Sequence, residues 1–92
     1  MPFVKTSIKD SDAQVTTGVG IVYGVIASAA ATGGLWQLNA STDDSGTDLL
    51  HGFAQASSQS FIDLSNTPVQ FNTAIYADIP GKKVTLTVLY TE

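Results

Sequence analysis

Cysteine and arginine are both absent from this 92-residue chain, and histidine occurs only once. Without cysteine there is no disulfide framework, no thiolate metal site and no cysteine nucleophile. Because small secreted domains often depend on disulfides, their absence favours synthesis in a reducing cytoplasm. Arginine is the side chain that most often contacts phosphates and base edges, so its absence argues against nucleic acid as a partner.

Charge of either sign is also scarce. Only 13% of the residues are charged, and the formal net charge is −4. Polarity is supplied instead by serine, threonine, asparagine and glutamine, which lose less free energy than charged groups when they leave water. Such a composition is typical of surfaces that pack against neighbours, and an isolated monomer usually carries more charge. We therefore expect a protein that functions in an assembly.

Long hydrophobic runs are missing as well. The longest apolar segment, residues 21–31, is interrupted by Gly24 and Ser28 and is too short to span a bilayer. No apolar stretch of signal-peptide length follows the first residues. We expect a soluble protein with no membrane partner. A chain of 92 residues can bury one small core, which predicts a single domain over residues 1–92.

Alternation of apolar and polar residues is the main structural signal. In residues 84–90, valine, leucine and tyrosine alternate with threonine, as a strand with one buried face requires. Similar segments separated by turn residues predict about eight short strands and no amphipathic helix. This pattern favours an all-β fold, a small antiparallel β-sandwich that is jelly-roll-like. The predicted strands cover residues 3–8, 14–17, 21–27, 35–40, 49–54, 59–64, 68–77 and 84–90, with residues 1–16 forming either an extended N-terminal strand or an arm.

Two groups of residues invite a chemical interpretation. A catalytic imidazole needs an orienting carboxylate and a nucleophile, and no sequence signature supplies either for His51. We interpret His51 as a packed or interfacial ring, which predicts no enzymatic activity and no cofactor. Asp43, Asp44 and Asp48 cluster in the largest loop. They are candidates for a calcium site, but their spacing matches no EF-hand, so a solvated turn is the alternative.

The four lysines lie near the two ends of the chain. Lys5 and Lys9 belong to the first predicted strand, whereas Lys82 and Lys83 precede the last. Because terminal strands often pair, the basic charge is expected to gather on one side and to orient docking onto an acidic partner. The alternative is that lysines on edge strands discourage aggregation between sheets.

The aromatic residues are expected in the core, with one exception. Phe61 lies on the opposite face of its strand from Ser60, Ile62 and Leu64. It is therefore the best candidate for an interface anchor. We add Trp36, His51 and the four lysines to the candidate interface.

Three segments resemble a family of small virion proteins of tailed bacteriophages. Residues 17–25 (TGVGIVYGV) resemble a turn that leads into a strand, residues 45–47 (SGT) a loop, and residues 87–90 (TVLY) a closing strand. The chain departs from the family at Ala74, where glycine is expected, and residues 1–16 are not covered.

The resemblance implies a β-sandwich decoration, or cement, protein. Such a protein is made in the host bacterial cytoplasm and coats the outside of the capsid. It binds across subunits of the major capsid protein and resists the pressure of the packaged DNA. A homotrimer is the expected oligomer, because capsid lattices offer three-fold sites. The alternative is a carbohydrate- or receptor-binding module of a phage tail or fibre, which would need either an exposed aromatic patch or calcium held by the loop of Asp43, Asp44 and Asp48.

Overall fold

The computed structural model of the protein describes residues 4–43 and 45–92. Within these residues the chain forms nine strands, and one short 3-10 turn at Pro80–Lys82 lies before the last strand. Gly81 adopts a φ of 77° in this turn, a conformation that glycine reaches without steric cost. The strands are β1 (Lys5–Lys9), β2 (Ala13–Thr16), β3 (Gly20–Ala29), β4 (Gly34–Ala40), β5 (Thr47–Ala54), β6 (Ser58–Asp63), β7 (Val69–Phe71), β8 (Ile75–Asp78) and β9 (Val84–Thr91).

The strands form two antiparallel sheets with the connectivity of a jelly roll. Sheet A has the order β1-β9-β3-β6, and sheet B has the order β2-β8-β4-β5. Strand β7 also pairs with β3, next to β6 along the same edge, so β6 and β7 act as one interrupted strand. Counted in this way, the sandwich has eight strands, and β4 and β5 are the one consecutive pair that shares a sheet, as in a jelly roll. The predicted all-β sandwich is therefore confirmed.

The core lies between the inner faces of the two sheets. On β9 the predicted alternation is confirmed, since Leu86 and Val88 are fully buried whereas the threonines between them are only partly buried. Trp36 and Leu38 of β4 are buried in the same core cluster. Strand β3 keeps its apolar residues inward on both sides of a bulge at Tyr23, because the register with β9 shifts between Val22 and Gly24.

Residues 5–9 and 13–16 of the N-terminal segment form edge strands of the sandwich. Strand β1 pairs with β9 along the edge of sheet A, and β2 pairs with β8 along the edge of sheet B. The carboxylate of Asp12 accepts a hydrogen bond from the backbone N–H of Ile79 at 2.8 Å and links the β1–β2 turn to the end of β8. Ile8 points outward and is 69% exposed, although it lies on the apolar side of its strand.

The single strand predicted over residues 68–77 is wrong. The chain forms β7 and β8 instead, in different sheets, and crosses between them at residues 72–74. Phe71 and Ile75 both point into the core, one from each sheet. Burial breaks the period of two at the crossing, because Ala74 is buried next to Ile75. In the sequence, the even spacing of Phe71 and Ile75 hides this break. No helix in the described residues has the length and apolar character needed to cross a bilayer.

Gly52 provides a test of core packing. A Cβ atom there would lie 2.8 Å from Cζ2 of the buried Trp36 ring, so Gly52→Ala forces the indole to move. We expect a loss of about 1–3 kcal/mol in the free energy of unfolding, measured by urea denaturation. The matched control is Gly18→Ala, where a Cβ meets no atom within 4 Å. It should remain within about 0.5 kcal/mol of the parent. Equal stability of the two variants would contradict this packing of Trp36.

Candidate interaction surfaces

The outer face of sheet A carries two rows of side chains that run across its strands. Residues paired directly between antiparallel strands point to the same face, so the register defines each row. The first row is Ile8–Thr87–Ile26–Phe61, and the second is Thr6–Leu89–Gly24–Asp63. Four strands about 4.8 Å apart make each row roughly 14 Å long.

Phe61 is the most prominent side chain of this face. It is 57% exposed, so its expected position outside the core is confirmed. The ring leans over Gly24 of the neighbouring strand, and a Cβ on that glycine would lie 2.9 Å from Phe61 Cε1. Glycine at this position therefore leaves the space that the ring occupies. An aromatic ring laid over a glycine is held in place while its outward surface stays available to a partner.

Charge is nearly absent from the two rows of sheet A. Asp63 is the one charged residue in them, and it lies at the β6 end. Its carboxylate accepts a hydrogen bond from the backbone N–H of Ser65 at 2.9 Å, and this bond lowers the pKa of Asp63. Asp63 therefore remains ionised near neutral pH. The rest of the two rows can leave water without the cost of desolvating a charge.

The outer face of sheet B contains a cleft of about 400 Å³. Leu35 on β4 and Phe53 on β5 pair directly and are 60% and 59% exposed, respectively. The expectation that Phe53 lies in the core is therefore wrong. The ring leans toward Gly33, and a Cβ on that glycine would lie 3.1 Å from Phe53 Cζ. Phe53 and Phe61 thus each pack over a glycine, on opposite sides of the sandwich.

His51 has an orienting carboxylate that the sequence pattern did not reveal. Its Nδ1 lies 3.0 Å from Oδ2 of Asp48, and 77% of the His51 side chain is exposed. In a regular strand, residues three apart point to opposite faces. Here the register with β4 shifts so that Leu38 pairs with Leu50 and Asn39 with Asp48, which leaves Leu49 as an extra residue. This bulge turns Asp48 to the same face as His51.

The cleft on sheet B places several polar groups beside the apolar pair. Gln37 pairs with His51, and its Nε2 donates a hydrogen bond to Oδ2 of Asp78 at 3.0 Å. No serine, threonine, cysteine or tyrosine occurs among the described residues that line the cleft. Within this lining, the Asp48–His51 pair is not accompanied by a hydroxyl or thiol nucleophile. A packed position for His51, one of the two expected, is wrong.

The acidic loop has an internal hydrogen-bond network. The Asp43 carboxylate accepts hydrogen bonds from the side chain of Ser45 at 2.6 Å and from its backbone N–H at 2.9 Å, and these bonds lower the pKa of Asp43. Asp48 is directed to His51, and Asp44 lies outside the described residues. No group of three or more acidic or histidine side chains in the described part of the chain is arranged to hold a metal ion.

Trp36, which the sequence placed in the candidate interface, cannot contact a partner. Trp36 is 2% exposed, so it is a core residue and the prediction that it belongs to the interface is wrong.

The lysines lie in two places. Nζ of Lys5 lies 3.1 Å from Oε1 of Glu92 in an exposed ion pair. Lys82 and Lys83 line a broad depression of about 840 Å³ together with Asp10 and residues 28–32. The expected pairing of the terminal strands is confirmed, and it places Lys5 and Lys9 on an edge strand, as protection against aggregation requires.

Comparison with protein-family models, with curated proteins and with solved structures found no match to this chain in any of the three. The two outer faces are therefore the basis for a functional assignment.

Proposed function

We propose that this protein is a non-enzymatic virion protein that decorates and stabilises the outside of a tailed-phage capsid. The observation that carries the proposal is the outer face of sheet A, which combines an exposed, positioned Phe61 with a nearly uncharged surface. The jelly-roll connectivity agrees with it, because this architecture recurs in viral capsid proteins. The partner is the major capsid protein, bound across the boundaries between its subunits.

The dimensions of the sandwich suit this role. The Cα atoms extend over 38 × 27 × 17 Å. A stable interface buries about 800 Å² of surface on each partner, and the broad face of the sandwich is large enough for this. Isoleucine, leucine and phenylalanine contribute apolar area, and threonine hydroxyls cost less to desolvate than charged groups. Each contact needs only moderate affinity, because many bound copies stabilise the same lattice by mass action.

Replacement of Phe61 by aspartate tests the docking face. Phe61→Asp should weaken binding to capsids by about 30-fold, because it puts a charge in place of the aromatic ring that the capsid would cover in the complex. The phage whose genome encodes this chain is grown with that gene deleted, and its capsids are purified. Each variant is added to these capsids, and the bound copies are counted by gel densitometry. Phe53→Asp is the matched control on the opposite face and should bind normally. Unchanged binding of Phe61→Asp, or a gene that lies outside any phage genome, would overturn the proposal.

Gly24 tests whether the position of the Phe61 ring matters. Gly24→Ala adds no charge, but its Cβ would lie 2.9 Å from Phe61 Cε1 and 3.2 Å from the carbonyl oxygen of Ile62. We expect the Phe61 ring to be displaced from its position over residue 24. Capsid affinity should fall roughly three- to tenfold, because the ring is no longer held in the position that binds the capsid. Melting temperature should fall only modestly, because the exposed ring can move away and the Ile62 carbonyl must shift by only a few tenths of an ångström. The control is Gly18→Ala, and equal affinity of the two variants would show that the ring position is irrelevant.

The proposed oligomer is a homotrimer, placed at three-fold sites of the lattice. Light scattering across a dilution series should give three times the chain mass of 9.6 kDa. A mass of one chain at all concentrations would contradict the trimer and would favour single-copy sites on the capsid. The same measurement on Phe61→Asp separates loss of docking from loss of assembly.

A further inference from the structure

The cleft on the outer face of sheet B is a second candidate for binding, on the side of the sandwich opposite to Phe61. We infer that it is a binding site for neutral saccharides, in which Phe53 and Leu35 contact the apolar face of a sugar ring and Asp48, His51 and Gln37 bind its hydroxyl groups. This inference does not depend on the capsid proposal, because it involves other residues and another ligand.

The apolar part of the site is defined by the Leu35–Phe53 pair. Both side chains are more than half exposed, and they lie next to each other across β4 and β5. The Phe53 ring leans toward Gly33 and is thereby positioned, as an aromatic surface for a ligand should be. The C–H groups on one face of a sugar ring can pack against such a surface, because the face is apolar although the molecule is polar.

The polar part lies two pairs further along the same two strands, at the next pair that faces outward. His51 and Gln37 are direct neighbours, and the Leu49 bulge brings Asp48 to Nδ1 of His51 at 3.0 Å. A carboxylate, an imidazole and an amide together accept and donate hydrogen bonds, which matches the hydroxyl groups at the edge of a sugar. Gln37 is bonded to Asp78 at 3.0 Å, so its amide is positioned before a ligand arrives.

Charge and size distinguish saccharides from other ligands. No lysine is found among the described residues that line the cleft, whereas Asp48 lines it and Asp78 lies beside Gln37. Anionic ligands such as phosphates are therefore disfavoured. The cleft has a volume of about 400 Å³, within the range of small-molecule sites. A purely apolar ligand would leave Asp48 and His51 without hydrogen bonds to it, at a cost in desolvation.

Amide NMR of the full chain titrated with chitotetraose, maltotetraose and galactobiose tests the site. At least one sugar should shift the amide signals of residues 35–37 and 51–53 at millimolar concentration. Phe53→Ala should weaken this binding by about tenfold or more. Asp48→Asn and His51→Ala should also weaken it. Phe61→Ala is the matched control, with equal loss of an exposed ring, and should leave the sugar affinity unchanged.

The other outcomes of this titration overturn the assignment. Absence of shifts with all three sugars contradicts a saccharide site, as does unchanged affinity of Phe53→Ala. If the same amide signals shift on dilution without sugar, a second copy of the chain covers the cleft and the saccharide assignment is wrong. Failure of the capsid proposal would instead appear in the Phe61 variants, which this titration does not involve.

Discussion

The register of β9 against β3 determines both the core and the surface of this protein. Because side chains alternate with a period of two, the pairing of Val88 with Val25 buries both residues, and the adjacent pair, Thr87 with Ile26, points outward. A slip by one residue would bury threonines and expose the core. The low charge of the outer face thus follows from the same register that builds the hydrophobic core, since β9 between residues 84 and 91 contains no charged residue.

Two of the bulges shape the candidate interaction surfaces in a way that a regular strand would not allow. The bulge at Tyr23 lets β3 point Val22 and Val25 inward while Gly24 faces outward beneath Phe61. The bulge at Leu49 brings Asp48 to His51. Bulges commonly redirect a side chain next to a binding site. Here each one contributes a residue to one of the two outer faces.

Much of the fold could be predicted from the sequence, and the failures have identifiable causes. The alternation in residues 84–90 correctly predicted β9. Alternation could not reveal that the chain crosses between sheets at residues 72–74, because Phe71 and Ile75 both point into the core. Asn72, a residue favoured in turns, was the available signal.

The candidate sites were harder to predict, because they depend on contacts between strands. Phe61 could be identified from its own strand, since it alternates with Ser60 and Ile62. Phe53 could not, because its exposure depends on the side of sheet B to which β5 turns. The Asp48–His51 pair depends on a bulge, and a bulge is defined only by the register with the neighbouring strand.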